Sequence, residues 1–335
     1  MVREFNHPFI QSLAMFIGEF SCLLAFRVAY IYYERKNVPT DERPTFVTGS
    51  RDYNPLIFVL PAVCDLVATT TMYVGLNLTY ASSFQMLRGA LIVFTGLLSV
   101  AFLNRKLKGY EWLGIAFVIT GLLIVGVADM MSGKEGSHAV NKMITGDLLI
   151  ILAQVIAATQ MVVEEKFVSS RNVSALEAVG WEGLFGATIM GFLLIPFYFI
   201  KVGNDIFKNP GGQIEDSIDA FAQIGNNWQV ATGVIGTIVS ISFFNFSGIS
   251  VTKEMSATTR TVLDSIRTFV IWGFSLAIGW QAFSAVQLLG FIVLMFGMFL
   301  YNNVIIRPLV LRMLNRRPHS ESILEHEVTP NNVVA

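Results

Sequence analysis

Charge is scarce in this chain, as are the residues that build disulfides and metal sites. Only 14% of the 335 residues are Asp, Glu, Lys or Arg, and the formal net charge is −1. A chain with so little net charge has no overall electrostatic attraction for nucleic acid. The two cysteines, Cys22 and Cys64, both lie inside apolar runs, which excludes a disulfide framework and a cysteine-based zinc site.

Catalytic signatures are also missing from the sequence. It contains no G-x-S-x-G, no H-E-x-x-H and no glycine-rich phosphate loop. The four histidines lie outside the apolar runs, and they show no metal-ligand spacing. We therefore expect a protein that is not an enzyme and that needs no cofactor or metal.

Apolar residues are abundant: 53% of the chain is hydrophobic. A soluble core could not absorb so much apolar surface with so few charges left for the outside. Because a helix needs about 20 apolar residues to cross a bilayer, the sequence predicts an all-α polytopic membrane protein with nine transmembrane helices. The predicted helices are Pro8–Tyr33, Pro55–Leu78, Ala81–Leu103, Gly109–Ala128, Gly146–Val168, Ser174–Ile200, Trp228–Ser250, Ala257–Gly279 and Ala285–Ile305.

The distribution of Lys and Arg predicts the orientation in the bilayer. The odd-numbered loops and the carboxyl tail hold Arg35, Lys36, Arg43, Arg51, Arg105, Lys106, Lys108, Lys166, Arg171, Lys253, Arg307, Arg312, Arg316 and Arg317. The opposite side holds only Arg3, Lys134, Lys142, Lys201 and Lys208. We therefore expect a cytoplasmic carboxyl terminus and a disordered cytoplasmic tail over 306–335.

A weak internal repeat relates the two halves of the chain. When the chain is shifted by 176 residues, Gly114 meets Gly290 and Gly121 meets Gly297. Helices related in this way have opposite orientation, which is the inverted-repeat plan of many secondary transporters. The same shift places a partner of Gly146–Val168 before Met1, so we expect two inverted repeats of five helices with the first helix missing. The first half is then 1–128, with four helices, and the second half is 146–305, with five.

Ionisable and amide side chains inside the apolar segments are the candidates for a solute site, since such groups usually face a cavity or a partner. Arg88 has the oppositely charged Asp264 as its repeat mate, and Arg260, Asp264 and Arg267 share one helix face. A buried structural ion pair of Asp264 with Arg260 or Arg267 is the alternative explanation. The residues predicted to bind or translocate a solute are Glu19, Asp65, Gln85, Arg88, Gln154, Asn245, Arg260, Asp264 and Arg267.

Other charged residues have simpler explanations. We expect Arg27 to extend to its cytoplasmic end, and Asp147 to cap a helix or lie in its first turn. Glu164, Glu165, Lys166 and Glu177 are expected at the cytoplasmic interface.

Several motifs give the chain a family resemblance. They are G-E-F-S-C at 18–22, A-S-S-F-Q-M-L-R-G at 81–89, I-T-G-D-L-L-I-I at 144–151, E-E-K-F-V at 164–168, E-G-L-F-G at 182–186, F-F-N-F-S-G-I-S-V-T-K-E at 243–254 and S-A-T-T-R-T-V-L-D-S at 256–265. With these motifs in this order, the chain resembles the drug/metabolite (EamA-like) transporter superfamily, and within it solute carrier family 35, subfamily F.

The resemblance implies ten helices in two inverted halves and transport by alternating access through a central cavity. It also implies an intracellular membrane, with the lysosome expected first and the Golgi or mitochondrion as alternatives. The expected cargo is a small organic solute such as a nucleotide sugar or another anion. A homodimer or a membrane-protein partner is compatible with this family.

Two other functions remain open on the sequence. A membrane scaffold without transport activity is the main alternative, which the missing helix favours and the set of buried charges opposes. A channel is a third.

Overall fold

The apolar runs fold into helices joined by short polar connections. The computed structural model describes residues 5, 7–39, 42–44, 46–50, 52–79, 81–132, 137–202, 211–278 and 285–301. After a 3₁₀ turn at Pro55–Phe58, α2 follows directly. The helices are α1 Pro8–Arg35, α2 Val59–Leu78, α3 Ala81–Leu87, α4 Ala90–Leu103, α5 Gly109–Ser132, α6 Ser137–Arg171, α7 Ala175–Phe199, α8 Ser217–Asn226, α9 Trp228–Glu254, α10 Ala257–Ala277 and α11 Ala285–Tyr301.

Asparagine and aspartate mark several of these boundaries. The side chain of Asn227 accepts a hydrogen bond from the Gln229 amide at the start of α9, and Asp216 does the same for α8. Asn37, Asn104 and Asn172 follow α1, α4 and α6 with φ of 51°, 52° and 49°. Asparagine tolerates this left-handed conformation better than other side chains, so each of the three can end its helix.

Within the described residues, seven helical segments are long and apolar enough to cross a membrane. They are Pro8–Arg35, Pro55–Leu78, Ser83–Leu103, Gly109–Ala128, Asn141–Arg171, Ala175–Phe199 and Trp228–Glu254. Helix α10 carries three charged residues within its 21, and α11 has only 17 described residues. The multi-pass helical fold is therefore confirmed, whereas a count of nine spans stays a prediction.

Several helix ends differ by a few residues from the expected ones, and the short helix α8 was not expected. Two further differences are larger. The helix predicted at Gly146 begins earlier, at Ser137. The predicted continuous helix Ala81–Leu103 is interrupted at Arg88 and Gly89. The ends of two further predictions, Gly279 and 302–305, lie outside the described residues, as does the tail over 306–335.

Helices α5 and α11 pack tightly and antiparallel through glycines. A Cβ on Gly114 would lie 2.8 Å from the Gly297 carbonyl oxygen, and a Cβ on Gly121 would lie 2.8 Å from that of Gly290. Small residues let helix backbones approach this closely. The two helices therefore meet through the glycines that define the internal repeat.

Helices α1 and α7 form a second close antiparallel pair. Gly180, Gly183 and Gly186 form a stripe along α7, and they face Leu23, Glu19 and Phe16 of α1, respectively. This packing places the ionisable Glu19 against Gly183 of α7.

Hydrogen bonds join the connecting segments at each end of the helix bundle. At one end, Ser174 Oγ donates to the Phe46 carbonyl at 2.6 Å. At the other end, His7 Nδ1 lies 2.6 Å from Glu215 Oε1, and Thr79 Oγ1 donates to Asp147 Oδ1 at 2.6 Å. The expectation for Asp147 was wrong, because it lies in the third turn of α6 rather than at the start, and it joins α6 to the end of α2.

Candidate functional site

A cavity of about 320 Å³ opens among the membrane helices. Its wall combines apolar side chains with a polar face contributed mainly by α2, α6, α9 and α10. Such a combination of an apolar wall and a few converging polar groups is typical of small-molecule sites. Seven of the predicted residues line it, namely Asp65, Arg88, Gln154, Asn245, Arg260, Asp264 and Arg267.

Two arginines, one between α3 and α4 and one on α10, meet one aspartate in this wall. Arg267 Nη2 lies 2.7 Å from Asp264 Oδ1, and Arg88 Nη2 lies 3.8 Å from Asp264 Oδ2. The Arg267 guanidinium also lies over the ring of Phe244, 4.3 Å from its centroid. Because arginine stays protonated in proteins, this group of three side chains carries at least one positive charge.

Arg88 lies at a break between α3 and α4. The helix is interrupted at Arg88 and Gly89, and the Leu91 amide bonds to the Arg88 carbonyl with the shorter i+3 spacing. A Cβ on Gly89 would lie 2.8 Å from Met298 Cε, so the small residue also allows α11 to approach. The helix is therefore broken at the residue where an arginine faces the cavity. Discontinuous helices also form the binding sites of many transporters.

Arg260 has a different partner from the one that its sequence neighbours predicted. Its Nη1 donates to Glu164 Oε2 of α6 at 2.5 Å, and Gln160 Nε2 donates to Glu164 Oε1 at 2.8 Å. Glu164 is fully buried and Arg260 is 8% exposed. The expected interfacial position of Glu164 is therefore wrong, and the ion pair locks α6 to α10. A pair of Asp264 with Arg267 is present, but both residues lie on α10 and their side chains are 13% and 30% exposed, so it is not the buried lock between helices that the alternative assumed.

Two further acidic side chains lie close to the cavity. Asp65 lines it and accepts a hydrogen bond from Thr69 at 3.1 Å. Glu19 does not line the cavity, but it accepts a hydrogen bond from Nδ2 of Asn245 of α9, which does. Asn245 therefore connects the cavity to Glu19, which lies at the contact between α1 and α7.

The remaining predicted residues differ in their relation to the cavity. Gln154 lines the cavity and is 2% exposed, and its Nε2 donates to the Ile150 carbonyl at 3.4 Å. Gln85 is half-buried on α3 and is not part of the wall.

Three residues near this site were not among the nine predicted to bind or translocate a solute. Glu164 accepts from Arg260, Gln160 donates to Glu164, and Glu182 of α7 is buried at 5% exposure beside the same charges. The pairing of Glu164 and Arg260 spans 96 residues in sequence, so neither helical periodicity nor the 176-residue shift could reveal it. The presence of two adjacent glutamates, Glu164 and Glu165, near a helix end had favoured an interfacial interpretation.

Among the described residues, no group of three or more His, Cys, Asp and Glu side chains has an arrangement suited to a metal ion.

Comparison with known proteins gives consistent matches along the chain. The family described as SLC35F: Solute carrier family 35 matches residues 5–202. Solute carrier family 35 member F6 of Pongo abelii is 54% identical over 319 residues, which cover 95% of this chain and 84% of the relative. CMP-sialic acid transporter 1 of Arabidopsis thaliana is 30% identical over 132 residues, which cover 38% of this chain and 36% of the relative.

A solved crystal structure has a similar fold. It gives a TM-score of 0.52 with 13% sequence identity, and the match covers 89% of this chain and 88% of the other. At this level of identity the likeness concerns the fold alone.

Proposed function

Because this chain belongs to solute carrier family 35, we propose that it is a secondary transporter that carries a small organic anion by alternating access. The members of this family are solute carriers, and the helices described above form a multi-pass membrane protein. The site of solute binding is the cavity lined by Arg88, Asp264 and Arg267.

One observation carries the proposal of an anion: Arg88 and Arg267 share the single carboxylate of Asp264. Their side chains are 23% and 30% exposed, so both guanidinium groups keep donors accessible to a solute. A guanidinium binds carboxylate or phosphate oxygens through paired hydrogen bonds. An anion that enters the cavity would therefore neutralise the positive charge of the two arginines that Asp264 does not.

The nucleotide-sugar class is a narrower form of this proposal. It is supported by the partial match to CMP-sialic acid transporter 1, whose name states its cargo. The phosphates of a nucleotide sugar are the type of group that two arginines bind.

Alternating access is supported by the pairing of helices across the two halves. The glycines of α5 face those of α11 in antiparallel register, as two inverted repeats that meet at a pseudo-two-fold axis would require. We extend this to nine spans by including α10 and α11, with halves at 1–128 and 146–305. The cytoplasmic carboxyl terminus, the lysosomal membrane and a homodimer or membrane-protein partner stay predictions.

Counterflow exchange in proteoliposomes tests the transport proposal. The purified chain is reconstituted, and the proteoliposomes are preloaded with each member of a panel of nucleotide sugars, nucleotides, amino acids and short peptides. We expect saturable exchange of at least one anion, and a loss of exchange of about ten-fold or more in Arg88→Ala and Arg267→Ala, since each removes a charge-assisted hydrogen bond.

Arg27→Ala is the matched control, because Arg27 is an exposed arginine of α1 that does not line the cavity. It should exchange at the rate of the unmodified chain. Exchange that persists in both cavity variants would contradict the anion site. A folded chain that exchanges no member of the panel would favour the scaffold without transport.

A further inference from the structure

Four carboxylates from four helices, three of them buried, lie around one arginine beside the cavity. Glu19 comes from α1, Asp65 from α2, Glu164 from α6 and Glu182 from α7, and the arginine is Arg260 of α10. Glu19, Glu164 and Glu182 are at most 5% exposed, and each of these carboxylates is within electrostatic range of others in the group.

The charges of this group do not balance if every carboxyl group is ionised. Arg260 forms its ion pair with Glu164 at 2.5 Å, and this pair is neutral as a unit. Three carboxylates are then left at bilayer depth around a pair that offers no further net charge. In a medium of low dielectric constant, carboxyl groups at close range cannot all stay ionised.

Two oxygen atoms in the group also lack any hydrogen-bond partner. They are Glu19 Oε2 and Glu182 Oε1, and both side chains are more than nine-tenths buried. The other Glu19 oxygen accepts from Asn245. An ionised oxygen without a donor in such a position is costly, whereas a proton removes the charge and occupies almost no volume.

The two glutamates lie on helices that touch at this depth. A Cβ on Gly183 would lie 2.6 Å from the carbonyl carbon of Glu19, so the backbone next to Glu182 packs directly on Glu19. The titratable or charged groups that face this contact are Cys22 on α1, Asp65 on α2, Glu164 on α6 and Arg260 on α10, and α9 contributes the neutral Asn245.

We propose that Glu19 and Glu182 form a proton-binding pair that holds at least one proton at neutral pH. Asn245 connects the pair to the cavity, because it both bonds Glu19 and lines the wall. A proton bound there lowers the negative charge beside the two cavity arginines, so proton and anion favour each other's binding. The role of this proton as the coupling ion rests on the proposed transport function, whereas its presence does not.

Infrared difference spectroscopy on the full chain in lipid tests for the proton without any solute. A protonated carboxylic acid has a C=O stretch apart from the amide bands, and the band shifts in D₂O. We expect this band at neutral pH, a reduced band in Glu19→Gln and in Glu182→Gln, and its loss in the double variant. Glu34→Gln, at an exposed position of α1, should leave it unchanged.

Thermal unfolding of the same variants provides a second measurement. Glutamine has the shape of a protonated glutamate, so we expect Glu19→Gln and Glu182→Gln to unfold at the temperature of the unmodified chain. Absence of the band in the unmodified chain at neutral pH would overturn the proposal. So would a band that the double variant retains and Asp65→Asn removes, or glutamine variants that fail to fold.

Because no solute is present, a chain that shows the band but exchanges nothing would count against transport and not against the proton pair.

Discussion

Replacement of Arg260 by alanine should lower the free energy of unfolding by about 3–5 kcal/mol, the range for a buried ion pair that loses one partner. The substitution leaves Glu164 fully buried, with Gln160 as its side-chain donor among the described residues. It also removes the cation shared with Glu19, Asp65 and Glu182. Unfolding by SDS in mixed micelles, followed by tryptophan fluorescence, measures the change.

The matched control for this variant is Arg105→Ala. Arg105 lies 3.7 Å from Glu165, the neighbour of Glu164, but its side chain is 37% exposed. Partly exposed ion pairs contribute about 1 kcal/mol or less. Replacement of both Arg260 and Glu164 by methionine should recover much of the stability, because neither charge is then buried alone. Equal losses in Arg260→Ala and Arg105→Ala would refute the assignment of a locking role to the buried pair.

Replacement of Gly183 by valine should destabilise the chain by about 3 kcal/mol, at the upper end of the range for an overfilled core. The new Cβ would lie 2.6 Å from the carbonyl carbon and from the Cβ of Glu19. The helices must separate, because the backbone of α1 cannot rotate out of the way as a flexible side chain could. The separation should also displace Glu19 from Asn245, so solute exchange should fall with stability.

Gly191→Val is the control on the same helix, since a Cβ at Gly191 has no atom within 4 Å. It should change the free energy of unfolding by a few tenths of a kcal/mol, as surface substitutions commonly do. Both variants are compared by thermal unfolding in detergent and by counterflow. If Gly183→Val were as stable as Gly191→Val, the close α1–α7 contact would be excluded.

Local composition was enough to predict most of the helices. The apolar runs are long, the bilayer sets a minimum length, and asparagines such as Asn104 and Asn172 end helices by their own conformational preference. The break at Arg88 and Gly89 was not predicted, since it depends on the approach of α11 to Gly89 as well as on the low helix propensity of glycine.

The membrane character was determined by the sequence alone, because the cost of burying charge in lipid restricts both composition and the positions of ionisable residues. The family resemblance also came from the sequence alone, through its motifs and their order. The sequence also indicated most of the polar residues of the cavity, since seven of the nine predicted side chains line it.

Only the tertiary structure decided which charges are partners. Arg260 pairs with Glu164 rather than with Asp264, Arg88 and Arg267 share Asp264, and Glu182 lies beside Glu19. Apart from the neighbours Arg267 and Asp264 on α10, these contacts join segments far apart in the chain. The strength of an ion pair depends on distance and burial, and both are fixed by helix packing rather than by sequence spacing.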